Sequence, residues 1–102
     1  MRGEDRLVPG YSKLLGVLGE AYQQAASGTG QERHANGKPF DRQPIAEVSR
    51  IVGPGFALGQ AMKKAGEASG MAARGEVDKA VHECLGAINY LAAAIIVLRE
   101  KA

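Results

Sequence analysis

Cysteine is nearly missing from this sequence: Cys84 stands alone, so no intramolecular disulfide can staple the fold, and such usage suits a reducing compartment. Charge of one sign is scarce as well. Lys and Arg number 13 against 11 Asp and Glu, a formal net charge of +2, and no long basic run occurs. That removes the broad electrostatic footprint of a duplex nucleic-acid binder. Long apolar runs are short too. The leading MRGEDRLVPG lacks the apolar stretch of about 7–15 residues that a secretion signal needs. The most apolar run, Leu85 to Leu98, is interrupted by Asn89 and Tyr90 and is shorter than the ~20 residues that span a bilayer. The expectation is a cytoplasmic protein with no membrane partner.

Catalytic patterns are equally thin. Ser12, Ser27, Ser49 and Ser69 sit in no G-x-S-x-G context. Gly53-Pro54-Gly55 lacks the GK[ST] end of a phosphate loop and follows a helix instead of a strand. Asp78 and His82 are four residues apart, which on a helix reads as a surface pair before it reads as two metal ligands. No catalytic residue, metal ligand or cofactor is assigned.

What the sequence does have is helical periodicity. Its 102 residues make a single domain, large enough for a core. Residues 1–10 read as a flexible arm ending at Pro9-Gly10, and 11–102 as one all-helical domain. A first helix starts near Tyr11 or Ser12. Its apolar face is Tyr11, Leu14, Leu15, Leu18, Tyr22 and Ala25, and Gly28-Thr29-Gly30 stops it. Pro44 suits the first turn of a second helix, whose face is Ile45, Val48, Ile51 and Val52. Gly53-Pro54-Gly55 predicts a kink or break, after which helix resumes from Phe56 to about Arg74 on a seam of Leu58, Ala61, Met62, Ala65 and Ala68.

The last helix, Glu76 to about Lys101, has acidic residues in its first turn and basic ones in its last, as the helix dipole favours. Val77, Val81, Cys84, Ile88, Leu91, Ile95 and Leu98 alternate by four and three as a heptad seam. That placement puts Cys84 in an interior. Ala87, Tyr90, Ala94 and Val97 form a second stripe, and Leu85, Ala92 and Ile96 a third. A helix apolar all round is normally buried on every side, more than one small bundle can provide. The expected architecture is therefore all-α: a small helical hairpin or bundle with a Gly-Pro-Gly kink in its second helix, assembled as a homo-oligomer. Asn89, alone among apolar neighbours, either specifies register and partner number or faces a ligand.

Between the first two helices lies the densest chemistry, the polar connection Gln31–Pro44. Arg33, Lys38 and Arg42 carry fixed positive charge, His34 titrates near neutrality, and Asn36 and Gln43 offer amides. Asn36-Gly37 is a turn signal and Lys38-Pro39 favours extended backbone, while Phe40 can anchor the far limb in an apolar groove. Arginine forks suit phosphate oxygens. Arg33, His34, Asn36, Lys38, Arg42 and Gln43 are thus the candidate ligand-binding residues, with Tyr11 and Tyr22 as possible stacking surfaces.

The wording E-R-H-A-N-G-K-P-F-D-R-Q-P-I at 32–45, V-G-P-G-F-A-L-G-Q-A-M-K-K at 52–64 and L-G-A-I-N-Y-L-A-A-A at 85–94 resembles that of small all-helical phage and prophage proteins. The likeness covers most of 11–98 and transfers no activity. A phage setting brings with it, by analogy, the class of small oligomeric helical proteins that sequester nucleotide immune signals. Three readings follow. The first is a homo-oligomer that holds a phosphorylated nucleotide, an anionic small molecule, without turnover. The second is a protein-binding inhibitor using the 31–44 loop. The third is an all-α nucleotide pyrophosphohydrolase with a degenerate metal site. MazG-type members of that last class hold magnesium on Glu-x-x-Glu and Glu-x-x-Asp pairs, whereas no carboxylate here is followed by another three or four residues on.

Overall fold

The computed structural model describes residues 8–27 and 37–101, all-helical with no strand among them. Four helices follow in order, α1 (Ser12–Ser27), α2 (Pro44–Val52), α3 (Gly55–Ala73) and α4 (Val77–Glu100), with a 3-10 turn over Phe40–Arg42 ahead of α2. The Gly28-Thr29-Gly30 stop, most of the N-terminal arm and the middle of the polar connection lie outside the described residues.

Helix ends follow local chemistry. Pro44 occupies the first turn of α2, where a missing N–H costs nothing, and the Gln43 carbonyl accepts from Ala46 and Glu47 N–H at 2.9 Å. After Val52 the backbone leaves the helix at Gly53, whose φ of 105° is open to glycine at little cost. Helix α3 starts two residues later, at Gly55, behind Pro54, a residue with no side chain able to cap it. Ser49 of α2 takes over that task. Its Oγ, fully buried, accepts from Ala57 N–H across the break at 3.2 Å and so satisfies one of the free donors in α3's first turn. At the far end of α3, Gly75 takes φ 79°. There Gly75 N–H bonds to the Ala72 carbonyl and Glu76 N–H to that of Met71, the paired closure of a Schellman motif. The chain thereby turns straight into α4.

Helix α4 is the spine, and α1, α2 and α3 all pack on it. What touches it is small. Ala46 of α2 meets Ala93 and Val97 of α4, with Phe40 and Ile45 closing that cluster. Ala57, Ala61 and Ala68 are the buried residues of α3, and Ala21 is that of α1. On the α3 side Gly86 lets Lys64 lie across the helix, since a Cβ there would come within 3.0 Å of Lys64 Cδ. The Lys64 ammonium then sits 5.9 Å from the Tyr90 ring centre and 3.4 Å from Glu83, while Phe56 meets the edge of Tyr90. Asn89 Nδ2 donates to the Ala21 carbonyl at 3.0 Å and so ties α1 to α4.

Cys84, expected in an interior from its seam position, is instead exposed, and Val77, Val81, Leu91, Ile95 and Leu98 of the same seam are 46–62% exposed in the single chain. Alanine and glycine on the opposite faces allow the close approach that the larger seam residues would prevent, so α2 and α3 settle there. The same holds for α1, where Leu14, Leu15, Leu18 and Tyr22 are exposed, as is Tyr11 just ahead of it, and only Ala21 is buried. In α3, Leu58 and Met62 also point outward. By length and composition α4 could cross a membrane, a reach beyond the Leu85–Leu98 run weighed from sequence, although three other helices lie against it.

Candidate functional site

One cleft of about 550 Å³ opens between α1, the 38–43 segment and α4, within the size range of small-molecule sites. Its floor is Ala21, Ala25 and Ala92, where short side chains on facing helices leave room. Tyr22 and Phe40 bring aromatic rings to it, and Lys38, Gln43 and Asn89 bring polar groups. Local structure positions each of them. Phe40 is held by packing against Ala46, Ala93 and Val97, and the 3-10 turn that carries it closes with Arg42 N–H on the Pro39 carbonyl at 2.9 Å.

Lys38 is exposed and, among the described residues, its ammonium has no carboxylate partner. Among the described residues the cleft therefore has one positive charge without a carboxylate partner, on otherwise apolar and amide-lined walls. Buried Gln43 spends its Nε2 on the Lys38 carbonyl at 2.8 Å, which fixes the backbone of the limb that carries the lysine. Asn89 commits Nδ2 to Ala21, and its amide oxygen takes no hydrogen bond among the described residues.

The residues singled out from sequence part company here. Lys38 and Gln43 line the cleft. Arg42 does not: it turns toward Glu47, 3.9 Å away. Arg33, His34 and Asn36 lie outside the described residues. Sequence reasoning passed over Ala25, Ala92 and Ile96 as lining residues, and the signal for them was slight. Alanines facing each other on two helices read as close packing, yet where the helices diverge they leave a hollow.

Arg42 lies instead beside a charged network that joins α2 to the end of α4. Arg50 meets Glu100 through Nη2–Oε2 at 2.6 Å and Nε–Oε1 at 2.8 Å, and Glu47 through Nη1 at 3.0 Å. The hydrogen bond from Arg50 holds the Glu100 carboxyl below the usual carboxylate range, and the Glu100 and Glu47 hydrogen bonds raise the Arg50 guanidinium. These carboxylates, like Glu83 beside Lys64, already have cationic partners. Among the described residues no three His, Cys, Asp or Glu side chains gather in a way that could hold a metal ion.

The chain matches no protein-family model, no curated protein and no solved structure.

Proposed function

We propose that this protein is a homo-oligomeric helical binding module. Its cleft holds a small ligand with a flat aromatic body and an anionic group, of which a phosphorylated nucleotide is the leading candidate, and releases it unchanged. The observation that carries this reading is the exposed Lys38 ammonium, without a carboxylate partner among the described residues, lining an aromatic and amide-lined cleft. Tyr22 and Phe40 supply surfaces for a base, the free Asn89 oxygen can accept from an exocyclic amine, and Lys38 supplies the point charge that a phosphate needs. Arg33, His34 and Asn36 belong to the same connection and are the nearest further donors in sequence. Binding without turnover is favoured because Glu47, Glu83 and Glu100 are occupied by basic side chains. Large exposed apolar side chains on α1 and α4 support the oligomeric part of the proposal.

Calorimetry with linear and cyclic nucleotides tests it. Lys38→Ala, which removes an exposed side chain, should retain the wild-type circular dichroism and lose about 1.5–3 kcal/mol of binding, roughly ten- to a hundred-fold in affinity. Binding that is equal in wild type and Lys38→Ala would move the site away from this cleft. Absence of binding across the whole panel would abandon the nucleotide reading.

A further inference from the structure

The exposed seam of α4 has features that identify its occupant. Val77, Val81, Cys84, Ile88, Leu91, Ile95 and Leu98 keep a strict four-three alternation over three heptads, the pattern with which one helix packs against another helix of the same period. A flat lipid surface would not require that period. The neighbouring stripes are already used by α1, α2 and α3, so among the described residues the seam, apart from half-buried Ile88, is the face left over. Ile88 lies both on this seam and at the cleft.

The charges beside the seam are ordered end to end. Asp78 flanks it in the first turn of α4 and Arg99 in the last. Set against the heptad they lie on the same flank, three repeats apart. Neither has an ion-pair partner among the described residues, whereas the neighbouring Lys79 and Glu100 are taken by Glu76 and Arg50. Side by side in parallel, each helix would set this flank against the partner's other flank, which carries Ala80, Ala87 and Ala94, so that Asp78 and Arg99 would find no opposite charge there, and the dipoles would align. Head to tail, a two-fold axis makes each flank meet its own counterpart, so Asp78 of each helix faces the Arg99 and Lys101 end of the other, and the dipoles oppose.

We propose that α4 pairs with α4 of a second copy of this chain, antiparallel along the seam, about a two-fold axis near Asn89 and Tyr90. The pairing rests on the oligomeric reading above and gives it a surface and an orientation. In the register that fills every layer, Ile88 packs against the partner's Leu91, Cys84 against the partner's Ile95, and Val81 against the partner's Leu98. Because Ile88 belongs to both features, the partner helix comes to the edge of the cleft, and occupancy of the cleft is linked to assembly.

The single native cysteine makes the orientation measurable. In Ile95→Cys protein, Cys84 of one copy faces the new thiol of the other, and mild copper-phenanthroline oxidation should convert most of the protein to covalent dimer. Neither wild type nor Cys84→Ser/Ile95→Cys should do so, because each then has only one thiol, placed away from its own counterpart. Charge exchange adds a second readout that leaves the apolar seam intact. Asp78→Arg and Arg99→Asp should each weaken association several-fold, and the double variant should restore it. Covalent dimer in both single-thiol proteins would mean parallel pairing and overturn the proposal. If light scattering still reports an oligomer but no variant cross-links, this interface is wrong while the oligomeric reading stands. A monomer that instead floats with phosphatidylcholine–phosphatidylglycerol vesicles would overturn both.

Discussion

The two sides of α4 are built from opposite choices of side chain. Toward α2 and α3 the contacts are Ala46, Ala57, Ala93, Ala94 and Val97, closed by the Ser49 hydrogen bond and the Arg50–Glu100 pair. Toward solvent stand Val81, Leu91, Ile95 and Leu98, with Leu14, Leu15 and Leu18 of α1 exposed as well. In an ordinary monomer the large residues fill the core and the small ones are incidental. Here alanine sets helix spacing inside the chain, and the residues with most apolar area to lose are outside it. Since hydrophobic stabilisation grows with the area removed from water, much of this sequence's capacity for it is realised only when another surface covers α4.

Breaking each side separately should give different failures. Ile95→Glu places a charge on the outward seam, where Ile95 is half-exposed in the single chain. The largest expected effect is loss of the assembly, read as a fall in mass and as a Tm that no longer rises with protein concentration. Ala93→Leu acts on the inward side, where Ala93 has no exposed surface. Overpacking there should cost about 1–3 kcal/mol of stability, seen as a lower urea midpoint at any protein concentration. If both variants behaved alike, the distinction between the two sides would be void.

A smaller change sharpens the inward side. Ser49→Ala removes the acceptor for Ala57 N–H and leaves that buried donor unpaired, at a cost of about 1–3 kcal/mol. Accelerated amide exchange at Ala57 and its neighbours in α3's first turn, with α1 unaffected, is the local signature.

How much of this was legible beforehand depends on whether a local rule or a choice between faces was at stake. Pro44 marked the start of α2 because it acts through its own backbone, and the chain begins that helix there. The face of α4 that turns inward was not legible. A helix apolar on every side has no polar stripe to orient it, and the regular spacing of the larger residues suggested the seam, whereas close approach favoured the alanines. The candidate site was divided for a related reason. Sequence grouped Lys38, Arg42 and Gln43 by proximity along the chain, but the short 3-10 turn sends Arg42 toward Glu47 while Lys38 and Gln43 reach the cleft. Density of charge in a loop does not specify direction.

The smallest expected effect concerns pH. The Glu100 carboxyl is held below its ordinary range by Arg50, so its folded pKa is lower than its unfolded one, about 4.3. The stabilisation from this pair is therefore complete above that value and disappears as pH falls through the lower, folded pKa. Glu100→Gln should lower the urea midpoint slightly at neutral pH, and the difference from wild type should vanish in acid. A difference that grew on acidification would contradict the assignment.

The most direct test is the mass of the wild-type protein by sedimentation equilibrium at micromolar concentration. An exposed seam that is a contact surface predicts a multiple of the 10.7 kDa chain mass, reduced to a single chain by Ile95→Glu. A wild-type species of 10.7 kDa with full helical circular dichroism and a concentration-independent Tm would contradict it.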